Sequence, residues 1–244
     1  MTTTNGPVRL LGYAIGYASA CVDDVVPGSE SLRTPCEAWD LGALLLHLNQ
    51  SIDELHRTVA PDHENPGLGN APAASPAATF RSHSRLLLQS CVKAGGAGRR
   101  MAVGDQFLAS GWVFITAAAE IAVHGWDISV TCGVARSIPE PLALGLLSLL
   151  QLVVTDATRQ PLFGPEVPIS PPASGSDQLV AFLGRRPVPA GGPVGAGGQP
   201  HFIDPGSPLD RLDIRQVDAD GHLRGRGPDV FDGEGGHSFP GDRR

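Results

Sequence analysis

Three residues in this chain have the types and the spacing to hold a metal ion. Glu120 and His124 stand four apart in AAEIAVHGWDI, running from Ala118 to Ile128. His47 stands near the end of TPCEAWDLGALLLHL, from Thr34 to Leu48. Residues at i and i+4 lie one turn apart on the same helix face. A carboxylate and an imidazole so placed can converge on one ion, and a His from another helix would complete a three-ligand set. Three protein ligands leave a coordination position open for water or substrate. Imidazole and carboxylate suit zinc, and also iron, nickel or manganese.

Each residue also has a plainer reading. A lone His between Leu46 and Leu48 is more often a satisfied core or boundary residue. Against that, Gln50, Ser51 and Glu54 share its face and draw a polar line through an apolar helix, and buried polar groups need partners. Glu120 and His124 could form an ion pair or a surface stripe. Yet FITAAAEIAVHGWDI is otherwise almost uncharged, and a carboxylate among Ala, Ile and Val is costly unless paired or metal-bound. Asp127 either orients a ligand from behind or hydrogen-bonds locally. His56, nine residues from His47, is rotated to the opposite face and is expected in solvent. His83, with Arg81 and Arg85 nearby, is a candidate for binding a substrate carboxylate. His63 falls in a loop, and His201, His222 and His237 fall in a C-terminal tail.

The elements that must position these residues follow from periodicity and breakers. Val8 to Val26 reads as a first helix, stopped by Pro27-Gly28. Trp39 to Val59 reads as a second, with Asp40 as N-cap and Leu44, Leu45, Leu48, Ile52 and Leu55 as its core stripe. Pro61 to Pro76 is a loop. Pro76 to Lys93 is a third helix, Trp112 to Cys132 a fourth and Pro139 to Thr158 a fifth; Ala97 to Gly111 is ambiguous. Gln178 to Gly184 is a short helix or closing turn. Helices joined by modest loops give an antiparallel bundle. From Pro187 onward 21 of 58 residues are Gly or Pro. Such a segment has little apolar surface to offset chain ordering and is expected to be disordered. The fold class expected is therefore all-α: a four-helix bundle with an additional helix, over residues 8–187, followed by a Gly/Pro-rich tail over 188–244.

Bulk properties exclude several classes. The chain has 244 residues, 41% of them hydrophobic, enough for a real core. A formal net charge of −7, with no basic cluster exceeding pairs such as Arg99-Arg100 and Arg185-Arg186, argues against nucleic acid. No uninterrupted apolar run reaches the roughly 18–20 residues that span a bilayer. MTTTNGPVRLLG has no charged-then-apolar pattern, so no secretory leader is expected. Cys21, Cys36, Cys91 and Cys132 form no CxxC pattern and read as free thiols of a reducing cytoplasm. Lys93 is the only lysine, against seventeen arginines. With abundant Ala, Gly and Pro, that marks GC-rich coding.

The two stretches together, TPC-x-x-WD-x-x-x-L-x-x-HL and E-x-x-x-HGWD, resemble the actinobacterial metal-binding proteins related to mycothiol-dependent maleylpyruvate isomerase, within the DinB-like group of four-helix metalloproteins. The resemblance covers roughly Leu10 to Pro187, and FGPEVPI and LVAFLGRRP resemble the closing motif of one subgroup. It implies a divalent metal, commonly zinc, held by His47, Glu120 and His124, and mycothiol as a low-molecular-weight co-substrate. It implies thiol transfer to, or isomerisation of, a small electrophilic substrate, with no nucleic acid or membrane partner; a homodimer stays open. The isomerase carries a further α/β domain after its bundle, where this chain has its Gly/Pro-rich tail. The alternatives are a non-catalytic metal-binding module and a metal-dependent hydrolase or cyclase of secondary metabolism.

Overall fold

A computed structural model describes residues 6–36, 39–61, 75–93, 100–103, 106–157, 159 and 163–188. The tail after Val188, the body of the loop expected over 61–76, and His63, His201, His222 and His237 lie outside the described residues.

Six helices and one hairpin are described. They are α1 (Gly6–Val22), α2 (Leu41–Val59), α3 (Pro76–Lys93), β1 (Arg100–Val103), β2 (Gln106–Ala109), α4 (Ser110–Thr131), α5 (Glu140–Leu150) and α6 (Gly175–Phe182). The first four helices pack in a ring: α1 on α4, α4 on α2, α2 on α3, and α3 back on α1. α5 leans on α1 and α4, and α6 on α5. The chain is thus mostly helical, as its periodicity predicts. The hairpin is an addition, antiparallel with Arg100 opposite Ala109 and Met101 opposite Leu108. It occupies the stretch that periodicity left ambiguous, because two four-residue strands are too short to display a period.

Helix ends follow local chemistry. Asp40 caps α2, its carboxylate accepting from the Ala43 amide at 2.8 Å. Ser174 caps α6 by accepting from the Asp177 amide at 3.1 Å, so this helix starts ahead of the expected Gln178. α1 stops at Val22 rather than Val26. Asp23 and Asp24 follow, and negative charge is unfavourable at the C-terminal end of a helix dipole. Their carboxylates serve the tertiary structure instead, pairing with Arg81 and Arg136. α5 ends at Leu150, short of the expected Thr158. Beyond it Val153, Val154 and Thr155 are β-branched, which lowers helix preference.

α4 is buried nearly all round, from Val113 to Val130, as befits the central element of a bundle. Its length and hydropathy would also suit a membrane span, but 94% of its most apolar window is buried inside the protein. It comes close to α1 at Gly125, where an added Cβ would sit 3.0 Å from the Ala18 Cα and 3.1 Å from its Cβ. The missing side chain lets α1 lie directly against α4 one residue from His124. None of the four cysteines is in a disulfide.

Candidate metal centre

The N-terminal approach to α2 is built by TPCEAWD. The Thr34 hydroxyl lies within hydrogen-bond distance of two carbonyls, Cys36 at 2.7 Å and Trp39 at 2.8 Å, and accepts from the Cys36 amide at 3.1 Å. The Trp39 amide donates back to Cys36 at 3.0 Å. This knot fixes Trp39 just ahead of the cap, and its indole lies on the His47 ring with centroids 4.1 Å apart and planes at 32°. The same indole stands 5.7 Å from the His124 ring. The motif therefore shapes one wall of the site as well as starting the helix.

His47 from α2 meets Glu120 and His124 from α4. One donor atom from each of the three falls within 4.8 Å of the others, a group able to hold a metal ion. The two imidazoles meet edge-on, at 5.2 Å and 87°. Their side chains are largely withdrawn from solvent, with His47 13% and Glu120 6% exposed. His47 Nε2 is 3.1 Å from Glu120 Oε1. The two atoms face each other across the α2–α4 interface, and this proximity is one reason the Glu120 carboxyl is held ionised. Such proximity suits mutual pairing and also joint ligation of one ion. Two imidazoles and a carboxylate so placed could hold a metal ion.

Two further contacts hold these ligands. Ser51, one turn after His47, donates to Glu120 Oε1 at 2.5 Å across the α2–α4 interface. His124 Nδ1 is 3.1 Å from Asp127 Oδ2. An ionised carboxylate only accepts, so Nδ1 carries the proton and Nε2 keeps its lone pair. Asp127, fully buried, also faces Arg185, whose Nη2 reaches Oδ2 at 3.1 Å and whose Nε lies 3.4 Å from Oδ1. The contact to His124, three residues away on the same helix, is compatible with both sequence readings of Asp127. Sequence reasoning gave Arg185 no role at the site; it appeared there only in the Arg185-Arg186 pair and within LVAFLGRRP.

The electrostatics follow from burial opposed by neighbours. Burial alone would raise the Glu120 carboxyl, but His47, then His124 and Ser51, outweigh it and hold it below its ordinary value. Burial pushes the His124 imidazole down, against the opposing pull of Asp127. For Asp127, burial is outweighed by Arg185 and His124, and its carboxyl is lowered. The group therefore rests as a carboxylate beside a neutral His124, the protonation state that ligation requires.

Other expectations fare differently. His56 is not in solvent: it is buried, with Nε2 2.9 Å from the Ser90 hydroxyl. The face of α2 opposite His47 packs on α3, so rotation away from the site does not mean rotation into water. His83 is also buried at that interface, its Nδ1 2.5 Å from Asp53 on α2, and does not belong to the three-residue group. Arg81 pairs with Asp23, just past the end of α1, and Arg85 is exposed. Comparison with known proteins gives no match among family models, curated proteins or solved structures.

Proposed function

We propose that the chain is a divalent-metal protein of the DinB-like bundle type. In this reading it uses the metal, most simply zinc, to activate a low-molecular-weight thiol such as mycothiol against a small electrophile. The observation that carries the reading is the convergence of one donor atom each from His47, Glu120 and His124 within 4.8 Å, largely withdrawn from solvent between α2 and α4.

A bound cation with an open position would lower the pKa of a thiol or water and supply a nucleophile at neutral pH. The chain's own residues prepare that site. His47, Glu120 and His124 are the ligands. Ser51 restrains one Glu120 oxygen, and Asp127 holds the proton of His124 on Nδ1. Trp39 covers one face of His47 and keeps water off it. Attack of the thiol sulfur on an electrophilic carbon, with that carbon's bond to a leaving group breaking and the thiol proton released to solvent, would give transfer. Addition to a conjugated C=C bond, whose π electrons move onto the activating carbonyl, followed by rotation about the resulting single bond and expulsion of the thiolate, would give isomerisation.

The test begins with the elemental content of purified protein and continues with cobalt in place of zinc. The reading expects one equivalent of metal, and on adding mycothiol a sulfur-to-cobalt charge-transfer band with a rise in melting temperature. Cobalt loading without band or melting shift would remove the thiol and leave a hydrolase, a cyclase or a non-catalytic binding module. No metal bound at neutral pH would remove the metal itself.

A further inference from the structure

The contact between Asp127 and Arg185 joins residues 58 positions apart and is buried on both sides, with Asp127 at 0% and the Arg185 side chain at 8% exposure. A buried ion pair is weak evidence of stability, since apolar residues of similar volume often do as well. Its position directly behind His124 calls for another account.

The chain aims Arg185 with some care. α6 ends in a paired turn, Gly184 N donating to Ala181 O at 3.0 Å and Arg185 N to Val180 O at 2.8 Å. This is the glycine-capped helix end in which the residue after the left-handed position folds back over the last turn. Gly184 has φ +84°, and a Cβ there would lie 2.8 Å from the Gly164 Cα, so both conformation and space demand glycine. The guanidinium is then fixed at three points. Nη1 donates to the Leu183 carbonyl at 3.1 Å, while Nη2 and Nε face the two Asp127 oxygens. A planar fork held this way sets the orientation of the carboxylate, and the carboxylate in turn faces His124 Nδ1.

We propose that Asp127 and Arg185 form one positioning unit for His124, delivered by the C-terminal turn of α6, which fixes the ring so that Nε2 points at the metal position. The inference rests on the metal reading above. It makes the segment closing the bundle part of the metal centre, although that segment supplies no ligand.

Three variants test it: Arg185→Met, Arg185→Lys, and Arg185→Met combined with Asp127→Leu, which removes both buried charges together. The readouts are cobalt affinity by chelator competition, melting of the metal-free protein, and the ring-nitrogen NMR shifts of His124. Loss of such a partner behind a ligand typically costs about 10- to 100-fold in metal affinity. Arg185→Met and the double variant should lose affinity on that scale, with Arg185→Lys in between. The double variant should melt near the wild type, because no charge is left buried alone. A folded double variant binding cobalt within about twofold of wild type, well short of that range, would make the pair merely structural and overturn the proposal. So would wild-type metal-free protein whose His124 carries its proton on Nε2 at neutral pH, a result independent of how any variant folds. Wild-type protein that binds no cobalt would instead sink the metal reading.

Discussion

Ser51 and Glu120 meet across the α2–α4 interface at 2.5 Å, hydroxyl to carboxylate, 69 residues apart in the chain. Ser51 is one turn from His47 on the same face of α2. One helix therefore presents both a ligand and the group that restrains its partner ligand. Replacing Ser51 by Ala should leave the helices intact and weaken metal binding by about tenfold, the low end for losing such a support. Chelator competition checks this, and unchanged affinity would show that Glu120 is held by packing alone.

His124→Ala should abolish stoichiometric metal binding while circular dichroism stays helical, because it deletes one of three ligands and leaves a small cavity. Elemental analysis showing one equivalent of metal in that variant would refute the ligand assignment.

His56→Ala separates the site from its surroundings. It should keep full metal content, since His56 bonds Ser90 on the α3 side. It should cost stability, about 1–3 kcal/mol, from the lost packing of a buried side chain and the lost bond to the half-buried Ser90 hydroxyl. Urea unfolding measures the loss. A drop in metal content instead would place His56 in the site.

Gly125→Ala should destabilise the fold by about 1–3 kcal/mol, the usual cost of overpacking. The obstacle is the Ala18 backbone and not the end of a flexible side chain. A melting temperature equal to wild type would mean that α1 shifts freely on α4.

The pH dependence has a definite sign. His124 titrates lower in the folded protein than its ordinary 6.5. Below that pH the unfolded chain takes up a proton that the folded chain refuses, so metal-free stability falls as pH drops below 6.5. Glu120 and Asp127 are also lowered, from 4.5 and 3.8. Their contributions are complete above those values and are lost as pH falls through the lower folded ones. Denaturant midpoints between pH 8 and pH 3 should therefore decline in two stages. Removal of the upper stage by His124→Ala checks its origin, and its persistence in that variant would assign it elsewhere.

How much of this was written in the sequence depends on the distance over which each relationship acts. Glu120 and His124 share a face because the pitch of a helix fixes i and i+4 whatever surrounds them. The Asp40 cap and the bounds of α3 from Pro76 to Lys93 are equally local and were legible. His56 was misplaced because helical rotation gives direction, not surroundings; only the packing of α3 on α2 decided that the far face is buried. The pairing of Ser51 with Glu120, the seat of Trp39 on His47, and above all Arg185 behind Asp127 depend on which helices touch and in what register. Those choices are made by the burial of apolar surface summed over the whole bundle, and short-range spacing carries no record of them.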